Sequence, residues 1–324
     1  MKSRRNFLAA LFACMTMGGN ALAADGLSDK PIRIIVPFAA GANSDVVTRM
    51  IAQQVTDNGG PSFFIDNRPG GGGTVGAVAA KRAEPDGHTL FAANIATHAV
   101  LQSIQSLPYD PVKDFRPITE LFYFPTYLIV PERLPVKSVS ELIALAKAKP
   151  DGLSFGSQGI GSTPHLLGAM LQHEAGANLV HIPYAAGGGP MNIDLVAGRL
   201  DMVFSTYASM NPHRESGKVR FLAIASSKRS DVAPEVPTLA EAGYSGVELD
   251  NWFGRVAPAG TPDAVIDELN QLFVKAANDP AIVAKLKEQG ITMATQSPAE
   301  FGALMAADAE RVAKVVKATG IKLD

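Results

Sequence analysis

The strongest constraint on this chain is a unit of strand, glycine-bearing turn and helix that it builds twice. An apolar run at residues 32–38 (Ile-Arg-Ile-Ile-Val-Pro-Phe) enters Ala39-Ala40-Gly41-Ala42-Asn43-Ser44-Asp45 and then a helix-like stretch at 46–52. Such a run bounded by small residues reads as a buried strand, and the first amides of the helix after it have no intrahelical acceptor. Those amides point back over the turn and suit an anion. A second strand at 63–66 breaks into Asn67-Arg68-Pro69 and Gly70 to Gly73, after which Thr74 opens another helix. Downstream the order recurs. Leu153-Ser154-Phe155 enters a turn from Gly156 to His165, and after a helix the strand at 179–184 enters Ala185-Ala186-Gly187-Gly188-Gly189-Pro190. In each half a third strand ends in polar residues, 89–94 at Asn94 and 201–206 at Ser205 and Thr206. Two α/β lobes with their glycine turns facing a shared cleft are therefore expected.

The N-terminus reads as an address. Arg4 and Arg5 precede an apolar run from Leu8 to Met17, and Ala21-Leu22-Ala23 supplies the small residues a signal peptidase needs, so residues 1–23 are expected to be removed. The Arg pair before Phe7 and Leu8 fits the twin-arginine pattern of folded export. A basic start to an ordinary secretory signal is the alternative. The single cysteine, Cys14, lies inside this segment, and Phe12 before Ala13 suits a lipoprotein site poorly. An exported chain without cysteine has neither a disulfide nor a thiolate metal site. Of 324 residues about 300 remain, enough for two cores. Charged residues at 19% and a net charge of −2 give no basic surface for nucleic acid. No apolar run reaches the roughly 18 residues of a membrane span.

Strand chemistry sets the boundaries. Pro108-Tyr109-Asp110-Pro111 and Arg116-Pro117 mark a loop after the first unit, and Tyr127-Leu128-Ile129-Val130-Pro131 reads as a short strand. Ser138 with Glu141 three residues on gives a helix start. Residues 219–225 form a further buried strand, and 251–257 look like a return crossing, with Thr261-Pro262 opening the final helices. The first lobe is thus expected to be discontinuous, residues 24–126 plus 252–324, and the second to span 127–251, with two strands crossing between them as a hinge.

With these features in place the chain resembles the substrate-binding proteins of tripartite tricarboxylate transporters, the Bug family. The residues that carry the resemblance are Val36-Pro37-Phe38 with its turn and Asp45, Asn67-Arg68-Pro69-Gly70, Pro85-Asp86-Gly87, Leu107 to Pro111, His181-Ile182-Pro183-Tyr184, Trp252-Phe253-Gly254, Ala257 to Pro262 and the closing Gly320-Ile321-Lys322-Leu323-Asp324. They follow the family's order over essentially the whole mature chain. The resemblance implies a periplasmic, two-lobed α/β protein of the type II binding-protein fold. It would close on a small carboxylate and present it to integral membrane transporter subunits, without a cofactor and as a monomer. Three positions depart from the family's pattern: Gly41-Ala42 where Gly-Gly is frequent, Tyr184-Ala185-Ala186 where Tyr-Lys-Gly is usual, and Ser205 where many members carry Asp.

Other chemistries fit less well. Gly71 to Gly76 matches G-x-G-x-x-G, but Ala93-Asn94-Ile95 stands where a nucleotide fold wants an acid. Ser162 and His165 are spaced to meet as a hydrolase pair, yet there is no G-x-S-x-G elbow and Pro164 favours an ordinary helix entry. The six histidines show no metal-binding spacing. A periplasmic sensor subunit would share every residue named and differ only in its membrane partner.

The candidate ligand contacts in the first lobe are Phe38, Gly41, Ala42, Asn43, Asp45, Gly73, Thr74 and Asn94. Those of the second are Ser157, Gln158, Ser162, His165, Tyr184, Ser205 and Thr206. Asp45 reads first as the N-cap of its helix and second as a group reaching the cleft. Arg68 reads as a loop brace before a ligand cation. Trp252 and Phe253 divide evenly between hinge packing and ligand wall, and Tyr123 and Phe124 are read the same way. The strand ends are otherwise neutral, whereas a desolvated ammonium group wants a carboxylate. A carboxylate without an amino group is therefore expected, an aliphatic di- or tricarboxylate or, with Phe38, Tyr207 and Trp252 as ring neighbours, an aromatic acid.

Overall fold

The computed structural model describes residues 27–28, 30–184 and 188–322. The expected signal segment with Cys14, the Ala185–Gly187 part of the fourth turn and the closing Leu323-Asp324 lie outside the described residues. The first unit forms as β1 (Ile32–Val36), α1 (Asn43–Asp57), β2 (Phe63–Asn67), α2 (Thr74–Lys81) and β3 (Thr89–Asn94), after which a π-helical turn at Ala96–Val100 runs into α3 (Leu101–Ile104). Then β4 (Phe115–Phe124) leads through Pro125 alone into β5 (Thr126–Pro131). The second unit follows as α4 (Val139–Ala148), β6 (Leu153–Ser157), α5 (Thr163–Ala175), β7 (Leu179–Pro183), α6 (Gly188–Val196), β8 (Met202–Thr206), α7 (Tyr207–Glu215) and β9 (Val219–Ile224). The chain returns in β10 (Asn251–Pro258) and ends with α8 (Asp263–Ala277), α9 (Pro280–Glu288), β11 (Thr292–Met293) and α10 (Pro298–Thr319).

These strands make two sheets, β11-β4-β10-β3-β1-β2 and β7-β6-β8-β5-β9, which is the two-lobed α/β fold the sequence predicts. The strands of the repeated units pair in parallel; β1, β3, β6 and β8 are largely buried, whereas the edge strands β2 and β7 are partly exposed. In β1, Ile32, Ile34 and Val36 pack with α1 and α8, whereas Ile35 faces the core shared with α2 and α10. Ser138 caps α4 by accepting the Glu141 amide at 3.2 Å, and Ser297 with Glu300 forms a full capping box on α10.

Register decides which strand ends face across the hinge. Phe253 of β10 pairs with Asn94 at the end of β3, and Asn251 pairs with Phe124, the last residue of β4. In the other sheet Thr126, the first residue of β5, pairs with Thr206 at the end of β8. The C-terminal ends of the parallel strands in both sheets therefore lie where the chain crosses between lobes, and their turns open toward each other. The second crossing, residues 225–250, is bonded to the first: the Ala225 amide donates to Thr126 O at 2.8 Å and the Leu249 amide to Ala225 O at 3.1 Å.

Trp252 is fully buried at this crossing. Its Nε1 donates to Asp308 Oδ2 of α10 at 2.8 Å, and its ring meets Phe301 edge to face. Hinge packing, and not a ligand wall, is its role. Glu120 of β4 is buried close by and accepts from Gln296 Nε2 at 2.7 Å, while Asp250 accepts from Ser226 Oγ.

Candidate functional site

On the first turn Gly41 has φ +83°, a conformation that favours glycine. Ala42 takes the N-cap position of α1, so Asp45 is not the N-cap that the sequence suggests but the third residue of the helix. Its side chain reaches backwards. Oδ2 accepts the Gly41 amide at 2.9 Å and Arg49 Nε at 3.0 Å, and Oδ1 accepts Asn67 Nδ2 at 2.9 Å. Burial works against the ionised carboxylate, but the bonds from Arg49, Asn67 and Gly41 outweigh it and hold Asp45 below the ordinary value. Asp45 thus braces the turn with both oxygens engaged. The amides of Asn43, Ser44 and Asp45, in the first turn of α1, have no intrahelical acceptor. Phe38 lies over the strand ends, its ring centroid 6.0 Å from that of Phe253, which in turn stacks on Phe122.

The second turn is a single 3-10 turn at Gly71–Gly73, and a Cβ on Gly73 would lie 2.5 Å from Thr97 Cγ2. Gly73, Thr74, Thr97 and Asn94 are thereby gathered at the end of β3. Asn94 Oδ1 accepts the Thr97 amide at 3.2 Å, while Asn94 Nδ2 and Thr74 Oγ1 are buried with no hydrogen-bond partner. Buried polar groups are nearly always satisfied, so these two point to a polar group supplied from outside the chain. Arg68 braces an acid, donating to Asp66 Oδ2 at 2.8 Å, and takes no part in this cluster.

In the second lobe the hydroxyls turn inward to the loop. Ser157 Oγ donates to Gly159 O at 3.0 Å, accepts the Gly159 amide at 3.1 Å and lies 2.6 Å from His181 Nε2. Ser162 is the N-cap of α5, yet its Oγ donates to Gly159 O at 2.7 Å. His165 Nδ1 accepts the Gly161 amide at 3.1 Å, and its ring stacks on His181 with centroids 3.8 Å apart and planes 11° apart. Ser162 and His165 are engaged with the loop and not with each other. Burial, and for His165 also the neighbouring His181, hold both imidazoles below the ordinary histidine value, His165 at about 4. Gln158 lies against Gly188 at the start of α6. Tyr184 points away, its hydroxyl donating to Asp194 Oδ2 at 2.6 Å. At the end of β8, Ser205 Oγ donates to Asn192 Oδ1 at 3.1 Å and Thr206 Oγ1 meets Ser209 Oγ at 3.0 Å.

The acids near these turns are paired. Asp194 is held by Tyr184 and Arg199, and Asp201, at the far end of β8, by Ser154, Arg133 and Lys149. Sequence reasoning missed His181 and Asn67 as braces. No local pattern marks these two, since each reaches its turn from the neighbouring strand; the spacing that the sequence does show is the one shared by Gly41-x-x-x-Asp45 and Gly161-x-x-x-His165. A separate groove of about 270 Å³, lined by Tyr123, Lys228, Asp231, Lys287 and Thr292, opens on the hinge flank and receives none of the glycine turns. Tyr123 faces this groove, while Phe124 packs on Phe122 and Phe253.

Residues 47–321 match the family model described as the tripartite tricarboxylate transporter family receptor. Protein BugT of Bordetella pertussis is 35% identical over 304 residues, covering 93% of each chain. The structure of R. palustris Rpa4515 with adipate is 32% identical with a TM-score of 0.76, covering 90% of this chain and 98% of that one. MatC from Rhodopseudomonas palustris with bound malate is 30% identical with a TM-score of 0.73, covering 89% and 99%.

Proposed function

The chain belongs to the tripartite tricarboxylate transporter receptor family, and from that premise we propose that it captures a small carboxylate without an ammonium group between its lobes in the periplasm and delivers it to membrane transporter subunits. The observation that carries this reading is the pattern of free groups at the strand ends. Thr74 Oγ1 and Asn94 Nδ2 lack partners, the first amides of α1 and α5 lack intrahelical acceptors, and the acids Asp45, Asp194 and Asp201 are all engaged. Donors with no free carboxylate among them suit an anion, whereas an ammonium group entering the same cleft loses its hydration and gains no carboxylate. Charge-assisted bonds of this kind contribute about 1.5–3 kcal/mol each, so a few fix a small anion without an Arg clamp. Similarity to the adipate-bound and malate-bound proteins supports an aliphatic dicarboxylate.

The ligand contacts of this reading are Phe38, Asn43, Thr74, Asn94 and the start of α5, with Asp45, Ser157, Ser162 and His165 holding the turns in shape. Calorimetric titration of the mature chain with adipate, malate, citrate, benzoate, aspartate and glutamate tests it. A dicarboxylate should bind more tightly than the amino acid of similar length. Preference for aspartate over malate would overturn the ammonium-free ligand, and binding of none of the carboxylates would overturn the class.

A further inference from the structure

We propose that His165 is the positioning residue of the second lobe's anion turn, the uncharged counterpart of Asp45 in the first lobe. The proposal rests on the receptor reading and adds to it which side chain sets the charge of the second half-site. Asp45 and His165 each occupy the third position of a helix that leaves a parallel strand, after the N-caps Ala42 and Ser162. Each reaches back four residues to the amide of a glycine with positive φ, +83° at Gly41 and +76° at Gly161, at 2.9 Å and 3.1 Å. Both are held by a residue from the next parallel strand: Asn67 of β2 donates to Asp45, and His181 of β7 stacks on His165. His181 continues through Ser157 to both polar groups of Gly159.

The consequence is chemical. With the Gly159 and Gly161 amides taken by side chains, and the Ser162 amide donating to Gly159 O at 3.2 Å, the donors left at the start of α5 are the amides of Thr163 and His165, since Pro164 has none. Because Nδ1 accepts from Gly161, the proton of neutral His165 is on Nε2. An imidazole in this tautomer supplies the same hydrogen bond as the Asp45 carboxylate with no negative charge beside an incoming anion. Arg49 neutralises that charge in the first lobe, whereas an acid at position 165 would repel the ligand directly.

Three substitutions in the mature chain separate the roles, with adipate and malate as probes and hydrogen exchange over residues 158–162 as a readout that needs no ligand. His165→Asn places an amide oxygen near the Nδ1 position and should keep affinity within about threefold. His165→Asp keeps an acceptor but adds charge and should weaken binding by about tenfold or more, less so in high salt. His165→Leu removes the acceptor and should speed exchange at Gly161 more than at Gly159, whose acceptor is Ser157 Oγ. Wild-type affinity in His165→Asp, or losses that merely follow the melting temperature in all three, would overturn the proposal. If His165→Leu fails to fold, the contrast of Asn with Asp decides. If neither probe binds the wild type, the reading of the ligand fails and exchange alone judges the brace: equal protection in His165→Asn and His165→Asp below that of the wild type would then overturn it, and retained protection would support it.

Discussion

Asp45 shows what a single side chain in a turn can hold. Its carboxylate is the shared acceptor for the Gly41 amide, Arg49 and Asn67, so Asp45→Ala removes three bonds at once, leaving Asn67 Nδ2 only Phe38 O at 3.0 Å and the Gly41 amide only water. The expected loss is about 2 kcal/mol in denaturant unfolding, with weaker carboxylate binding because the first turn is no longer fixed. A variant as stable as the wild type would show that water replaces the carboxylate. This residue also marks how much of the site was legible. Sequence identified Asp45, Ser157, Ser162 and His165 as residues of the turns, because small residues, glycines and short polar groups at strand ends have few other uses. It did not give the direction of the side chains. Ser162 chooses between its own loop and a ligand, and Ser157 is turned by His181, which lies 24 residues away in sequence on another strand.

Between the elements of the hinge, three acids are brought together by β4, the return crossing and α10. Burial, reinforced by the charges of Asp250 and Asp308, pushes Glu120 up to about 8 from an ordinary 4.5; burial, partly offset by Ser226, pushes Asp250 up to about 7; burial also raises Asp308. Values raised in the folded state mean that the folded chain binds more protons than the unfolded one between about pH 4 and 8. The stability from this source is fully present below the unfolded values and is lost as pH rises through 7 and 8. The melting temperature should therefore fall between pH 6 and 9, and Glu120→Gln, which keeps an acceptor for Gln296, should fall less steeply. An identical slope in the variant would sink the assignment. These elements differ in how far sequence revealed them. The apolar runs of β1 and β6 and the return at Asn251 were plain from their chemistry. The two-residue β11 was not, since so short an edge strand is defined by its partner β4 and carries no pattern of its own.

At the scale of the molecule the lobes share apolar packing of α10 on α5 beside the crossings, and they also touch at the cleft edge. Lys287 of α9 reaches Asp231 at 2.9 Å, Gly290 packs on Tyr207, and Gly161 lies against Ile104 of α3. An exposed ion pair such as Lys287–Asp231 contributes about 0–1 kcal/mol, too little by itself to lock the cleft edge in one arrangement while α10 stays packed on α5 near the hinge. Saturating adipate or malate should therefore reduce the radius of gyration in small-angle scattering and raise the melting temperature. A scattering curve unchanged by a ligand that calorimetry shows to be bound would exclude closure. The sheet order has a consequence for the chain's assembly in time. Every described strand of the second sheet is made before residue 225, whereas the first sheet lacks β10, which lies between β4 and β3, until residue 258 has been synthesised. A nascent chain arrested at residue 250 would hold one finished lobe and one divided into two unjoined pieces with bare strand edges. The first lobe to begin is the last to be completed, and the strand that joins its two pieces is the one that brings the chain back across the hinge.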